Sequence, residues 1–403
     1  MLRKKHIVIL ILTCIIVVAS CFLLFSKQAG VFVFNKVPLI ESYIPSEKNP
    51  EVNEGDSITL SISASDPDGD LLIFTWLLSD HVIFEEGTGM SSSNSSWVYT
   101  PEYGDRGQHT VECKVSDGKG GYNAMSWGIT VCYIELHVAL DEWSMYGGEW
   151  VRNEQTDLPM YQDFLFYTIT NHGTGVASNL NYAIYIDDST YYQNVIPALS
   201  SHESYSNQLL VQLDYDTNKK ISISASTKYS SDSNDFSFEA TLPRHWSWMP
   251  KQVTKLYITP NDSVVKDLVK EIQRTKFPLI PDWIAIRDWV GNNINYRYDT
   301  VAHDSSDFWQ LPRETLSSRT GDCEDFAILL CTLYRAVGFK TNEVYVVIGE
   351  KGESCHGWVK VYIEIIAWQN IEPQLNGWGT FIGDFLTLSG YTAKYNFNDV
   401  YSR

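Results

Sequence analysis

Residues 321–339 read Gly-Asp-Cys-Glu-Asp-Phe-Ala-Ile-Leu-Leu-Cys-Thr-Leu-Tyr-Arg-Ala-Val-Gly-Phe. Apolar side chains at Phe326, Leu329, Leu330, Leu333 and Val337 recur at helical spacing, so the run predicts an amphipathic helix over 322–337 that Gly338 ends. Cys323 then stands in the first turn, where unpaired backbone N–H groups and the helix dipole favour an anion. A thiol placed there is expected to ionise more readily than a free cysteine. Gly321 leaves room for a substrate backbone, and the Cys323 N–H is a candidate oxyanion donor. Cys331, eight residues on, has the ordinary reading for a helical cysteine and is expected in the core.

Two alternating runs follow, 342–348 and 358–363, and predict antiparallel strands. His356 heads the second, in Cys355-His356-Gly357-Trp358, and Glu372 closes the next run, Trp368-Gln369-Asn370-Ile371-Glu372-Pro373. A thiol, an imidazole and a carboxylate are the parts of a nucleophile, base and orienter triad. If Cys323, His356 and Glu372 meet in space, the chemistry is acyl transfer through a thiol. Upstream, 263–272 and 281–290 predict two further helices, the first with Asn261, Asp262 or Ser263 as its cap.

The chain has 403 residues and is 44% apolar, enough for two or three folded domains. Its net charge of −19 argues against nucleic acid as a partner. Arg3, Lys4 and Lys5 precede an uninterrupted apolar run from Ile7 to Phe25. That length suits a single membrane-spanning helix, and the basic flank keeps the N-terminus cytoplasmic and the rest of the chain outside. A cleaved signal peptide and a lipoprotein box at Val18-Ala19-Ser20-Cys21 are the alternatives; the run continues to Phe25, which favours an uncleaved anchor. The seven cysteines do not suggest a disulfide framework, because Cys113 and Cys132 are not expected to lie opposite one another. An extracytoplasmic chain without bridges fits a prokaryotic envelope.

Between the anchor and residue 245 the period is two. Ser57–Ala64 alternates strictly, Asp66-Pro67-Asp68-Gly69-Asp70 is a turn, and 72–76 and 109–115 are further strands. Asp66, Asp68 and Asp70 are candidate calcium ligands, being hard oxygen donors at alternate positions. Aspartate, proline and glycine also form such a turn unaided. A second β region runs from about 133 to 242, with His172 and His202 in turns and expected at the surface. The segment 243–250 separates it from the helical region.

These motifs resemble known families. The words Asp-Pro-Asp-Gly-Asp, Thr-Trp and Val-Ser-Asp-Gly are similar to the polycystic-kidney-disease (PKD) repeat and related immunoglobulin-like modules. Thr-Asn-His-Gly-Thr before an aromatic strand resembles the cell-adhesion-related bacterial domain, CARDB. The series Trp309-Gln310, Glu314-Thr315-Leu316, Gly321 to Ala327, His356-Gly357-Trp358 and Glu372-Pro373 resembles the transglutaminase-like superfamily, in particular its cysteine proteinases. That resemblance implies Cys323 as nucleophile, His356 as base and Glu372 as third member, with Gln310 or Trp309 helping the oxyanion hole. Where the family usually has aspartate this chain has Glu372, with Asn370 as a substitute third member. Some relatives bind calcium through acids flanking the cysteine, which makes Asp322, Glu324 and Asp325 candidate ligands; acids at a helix start also need no metal.

The resulting expectation is a multidomain chain: a basic stub and transmembrane helix (1–30), an immunoglobulin-like sandwich (37–132), a CARDB-like sandwich (133–245) and an α+β transglutaminase-like domain (246–403). Its expected function is a membrane-anchored extracytoplasmic cysteine peptidase or amide acyl-transferase. It would act on envelope proteins or peptides, with no required cofactor and calcium as a candidate. The rival is a surface adhesion or scaffold protein whose thiol domain no longer turns over.

Overall fold

The structure, a computed structural model, describes residues 34–364, 366–375 and 388–402. The apolar run 7–25 lies outside them, and no helix among the described residues is long and apolar enough to cross a membrane. The chain divides into two compact units. One runs to Glu135 and takes in 172–177 and 200–202; the other holds the remainder.

The first unit is a sandwich of β1 (Leu39–Ile44), β2 (Glu51–Asn53), β3 (Ile58–Ser65), β4 (Ile73–Leu78), β5 (His81–Gly87), β6 (Ser92–Tyr99), β7 (Gly107–Ser116) and β8 (Tyr122–Cys132). One sheet has the order β1-β3-β6 and the other β2-β8-β7-β4-β5. The alternation of β3 buries Leu60, Ile62 and Ala64 and turns the residues between them outward. Trp76 and Trp127 stack at 6.0 Å in the core. Each indole N–H is satisfied, Trp76 donating to Ser95 Oγ at 3.1 Å and Trp127 to the Pro45 carbonyl at 2.9 Å. Cys113 faces Met125 across the β7–β8 ladder, so it and Cys132 remain free thiols.

The second unit begins with β9 (Leu136–Asp141), β10 (Glu149–Arg152), β11 (Pro159–Asn171), β12 (Ala177–Ile186), β13 (Ser189–Leu199), β14 (Ser204–Asp214), β15 (Thr217–Ser226) and β16 (Ser231–Ala240). β10-β11-β14 form one sheet, with β9 on the far part of β11, and β13-β12-β15-β16 form the other. His172 and His202 are exposed.

The period then changes. α1 (Ser263–Thr275), α2 (Asp282–Asn293) and α3 (Pro312–Ser318) precede α4 (Cys323–Val337). Asp262 caps α1, its Oδ1 accepting from the Val264 N–H at 3.1 Å. Between them β17 (Asn295–Tyr296) pairs in parallel with β18 (Thr320–Gly321). The sheet that closes the domain has the order β21 (Ala367–Ile371), β20 (Ser354–Ile363), β19 (Val344–Lys351), β22 (Thr392–Phe397).

The expected amphipathic helix is corrected in one respect. Every residue of α4 from Glu324 to Tyr334 is buried, because β19 and β20 cover one side and α1, α2 and α3 the other. A helix covered all round is a core helix. Gly338, at φ 119°, ends it in the left-handed conformation that glycine adopts without penalty. Replacing Leu330, which has no exposed surface, by alanine should destabilise the fold by about 2–5 kcal/mol. Urea unfolding of wild type and variant would measure the difference, with a loss below about 1 kcal/mol inconsistent with this packing.

Candidate active site

Burial of α4 brings its N-terminus against the middle of β20, and two glycines permit the approach. A Cβ on Gly357 would stand 3.0 Å from Glu324 Cα and 3.2 Å from the Cys323 carbonyl oxygen. A Cβ on Gly321 would stand 2.6 Å from Asp325 Cβ. A side chain at 321 would force Asp325 to shift, and one at 357 would make the helix backbone give by a few tenths of an ångström.

Asp325 organises this end. Its Oδ1 accepts the Gln310 backbone N–H at 2.7 Å, and its Oδ2 accepts the Gln310 side-chain amide at 2.7 Å and the Asp322 N–H at 3.3 Å. The last bond is half of a capping box. Gln310 also donates to the Thr320 carbonyl at 3.2 Å. Its amide is therefore engaged behind the helix, which corrects its reading as an oxyanion donor. Trp309 does line the cleft beside Cys323. Its ring is stacked between Trp246 at 5.6 Å and Phe397 at 5.4 Å and its indole serves Asp307, so it reads as a wall.

Cys323, His356 and Gly357 line one cleft of ≈ 310 Å³ with Asp307, Asp322 and Cys355. His356 Nε2 lies 2.6 Å from Glu372 Oε2, and Glu372 is almost wholly buried. A carboxylate at that distance accepts a hydrogen bond from Nε2–H, which fixes the tautomer and leaves Nδ1 as the basic nitrogen. Asn370, the alternative third member, instead accepts the Trp358 indole N–H at 3.2 Å. Two further residues, with no counterpart in the sequence motifs, support Glu372 and His356. Buried Arg287 on α2 donates to the Glu372 carbonyl at 3.3 Å, and the Tyr391 ring lies 5.3 Å from that of His356. Arg287 was findable in principle, since an arginine inside the apolar run of a helix needs a buried partner.

The thiol departs from expectation. Sγ lies 3.3 Å from Glu324 Oε2, and burial, followed by the charge of Asp322, pushes the Cys323 thiol up to about 12. The Gly357 N–H acts in the opposite direction. Helix-end stabilisation of the thiolate is thus outweighed by desolvation and a neighbouring anion.

The acids behind it explain why. Asp299, Asp307 and Glu324 each offer an oxygen within 4.8 Å of the others, as do Asp299, Asp322 and Asp325. Asp299 Oδ1, Asp322 Oδ1 and Glu324 Oε1 are buried without a hydrogen-bond partner. Burial, then Asp322, raises Asp299 to about 7; burial first, again with Asp322 among the causes, raises Glu324 and Asp325 well above the usual carboxylate range. Converging hard oxygens with unused lone pairs fit a divalent cation such as calcium. Of the expected ligands, Asp322 and Glu324 have such an oxygen, whereas both oxygens of Asp325 already accept from Gln310. Asp299, which opens a short helix, and Asp307, in the loop after it, join the cluster only through the fold, since no local spacing links them to the start of α4.

The acids of the first sandwich also regroup. Asp68 accepts the Lys36 N–H at 2.6 Å and pairs with its ammonium at 3.2 Å. Asp117 takes its place beside Asp66 and Asp70.

Residues 266–373 match the family model of the transglutaminase-like superfamily, and residues 35–130 match that of a bacterial Ig domain. The chain thus carries a transglutaminase-like domain towards its C-terminus, after a bacterial Ig domain. No curated protein matches the chain. Among solved structures, Legionella pneumophila LapG is similar over 38% of this chain and 78% of its own, at 18% identity and a TM-score of 0.27; its calcium-bound form gives the same values. The fibronectin(III)-like modules of Clostridium thermocellum CbhA are similar over 51% of this chain and 94% of theirs, at 11% identity and 0.22. Red sea bream transglutaminase is similar over 50% of this chain and 31% of its own, at 11% and 0.19.

The raised acids have a measurable consequence. Between the ordinary carboxylate range and about 7 the folded chain holds a proton on Asp299 that the unfolded chain releases, and the raised Glu324 and Asp325 act in the same direction. Stability therefore falls as pH rises through that window. In the presence of a chelator, the melting midpoint should drop between pH 4.5 and pH 7, and calcium should flatten the drop. A midpoint that climbs steadily over that range in chelator would contradict the cluster's electrostatics.

Proposed function

We propose, on the premise of a transglutaminase-like C-terminal domain, that this protein is a thiol acyl-transfer enzyme acting on amide bonds of proteins or peptides. The observation that carries the reading is the 2.6 Å bond between His356 Nε2 and buried Glu372, with Cys323 in the same cleft. Glu372 holds the imidazole in the tautomer whose Nδ1 is basic. His356 takes the thiol proton as Sγ attacks the amide carbonyl carbon, and the first-turn N–H of Cys323 stabilises the oxyanion. The protonated His356 then gives its proton to the departing amine, leaving a thioester on Cys323. Water resolves the thioester in hydrolysis, with His356 again as base; an amine would resolve it in cross-linking. Hydrolysis is the preferred outcome, since no residue of the chain marks an amine site. The basic residues 3–5 and the apolar run 7–25 support a single-pass anchor with these domains outside the membrane.

Calcium is the proposed ligand of Asp299, Asp307, Asp322 and Glu324. Bound there it supplies positive charge beside Cys323 and neutralises the carboxylates that oppose its ionisation. The raised thiol favours a second reading, a surface scaffold that does not turn over.

Two measurements decide. Cys323→Ala should leave the melting curve intact and lower amide turnover by about a thousandfold or more, with Glu372→Gln also impaired; unchanged turnover in Cys323→Ala removes the enzyme reading. Separately, iodoacetamide should modify Cys323 near neutral pH at least about tenfold faster in calcium than in chelator. Equal and slow rates in both support the scaffold.

A further inference from the structure

The first sandwich contains its own set of converging acids, far in sequence from the thiol domain. Asp66 and Asp70 belong to the β3–β4 turn and Asp117 to the β7–β8 turn. One carboxylate oxygen from each lies within 4.8 Å of the other two. Asp66 and Asp117 are both more than nine-tenths buried. Asp66 Oδ1 accepts the Asp68 N–H at 2.8 Å and the Asp70 N–H at 3.1 Å, which shapes the turn. Asp66 Oδ2 is buried and has no hydrogen-bond partner. A buried carboxylate oxygen left bare costs free energy unless a donor or a cation meets it.

The charge balance is also uneven. Four carboxylates (Asp66, Asp68, Asp70 and Asp117) face two ammonium groups, Lys36 on Asp68 and Lys119 on Asp70. Two negative charges are left over, the complement of one divalent ion. Asp117 is held for the purpose: its Oδ1 accepts the Lys119 N–H at 2.7 Å and the Gly121 N–H at 2.9 Å. Its Oδ2 accepts the Asn35 side-chain amide at 2.6 Å. A Cβ on residue 121 would stand 2.2 Å from that Oδ2, so only glycine lets the turn close on the carboxylate.

We propose that Asp66, Asp70 and Asp117 form a calcium site that clamps the entry of the chain onto the first sandwich. The ligands span two turns, and through Asn35, which donates to Asp117, they also tie down the segment that leads into β1. The bound ion shares Asp70 with Lys119 and gives Asp66 Oδ2 the partner it lacks, within a set of hard oxygen donors. Its role is mechanical, stiffening the joint at the N-terminal end of the sandwich, and it is independent of turnover at Cys323.

Equilibrium dialysis of the full chain in detergent against radiolabelled calcium tests the site. Asp66→Asn and Asp70→Asn should each lose about one bound calcium per chain, whereas Asp68→Asn, whose partner is Lys36, should keep it. Asp66→Asn keeps the oxygen that shapes the turn, and Asp70→Asn removes a less buried ligand, so melting in chelator verifies that both variants fold. Calcium should also slow proteolysis in 117–121 of wild type but not of Asp66→Asn. Wild-type levels of bound calcium in both folded variants would overturn the proposal. Asp322→Asn separates the two sites: calcium lost in Asp66→Asn but untouched by Asp322→Asn upholds the clamp and removes calcium from the thiol domain.

Discussion

The buried start of α4 is the constraint from which the thiol domain follows. A helix N-terminus presents backbone N–H groups that must find acceptors, and inside a core water cannot supply them. Asp325 meets part of that demand and draws Gln310 and the strand at Thr320 against the helix as it does so. The same closure sets Cys323 beside Gly357 and within the cleft that His356 enters from β20.

Burial also sets the electrostatic problem. Five carboxylates, Asp299, Asp307, Asp322, Glu324 and Asp325, gather at the start of α4, and two of them, Asp322 and Glu324, converge with a thiol that must become an anion to react. In a poorly solvated pocket their mutual repulsion is met by proton uptake, which is the direction in which four of them shift. Cation binding and proton binding are then alternative answers to one excess of charge. The cleft is thereby sensitive to both pH and divalent ions, and its reactivity is tied to which of them is present.

The segment joining the second sandwich to the helices also takes part in the site. Arg244 donates to the Trp309 carbonyl at 2.9 Å, holds Glu314 through two bonds at 2.6 and 2.8 Å, and pairs with Asp216 between β14 and β15. The Trp246 N–H donates to Asp307 at 2.5 Å, and His245 and Trp246 line the cleft. Part of the cleft lining, His245 and Trp246, is thus supplied from outside the span that matches the superfamily, residues 266–373. A bidentate guanidinium bound to two elements at once makes that lining a fixed part of the domain.

Local pattern alone determined the change of period near residue 250, the helix from Cys323 to Val337 with its stop at Gly338, the alternating strands and the sequence positions of Cys323, His356 and Glu372. Each of these depends on side chains a few residues apart, where spacing and chemistry are read directly. Tertiary structure alone decided that α4 is buried all round, that Gln310 serves Asp325, and that Asp299 and Asp307 join the acids of the helix. It likewise put Asp117 in the place expected for Asp68 and raised a thiol that helix position by itself would lower. These outcomes turn on desolvation and on contacts between residues tens of positions apart. Neither is present in the chain until it folds.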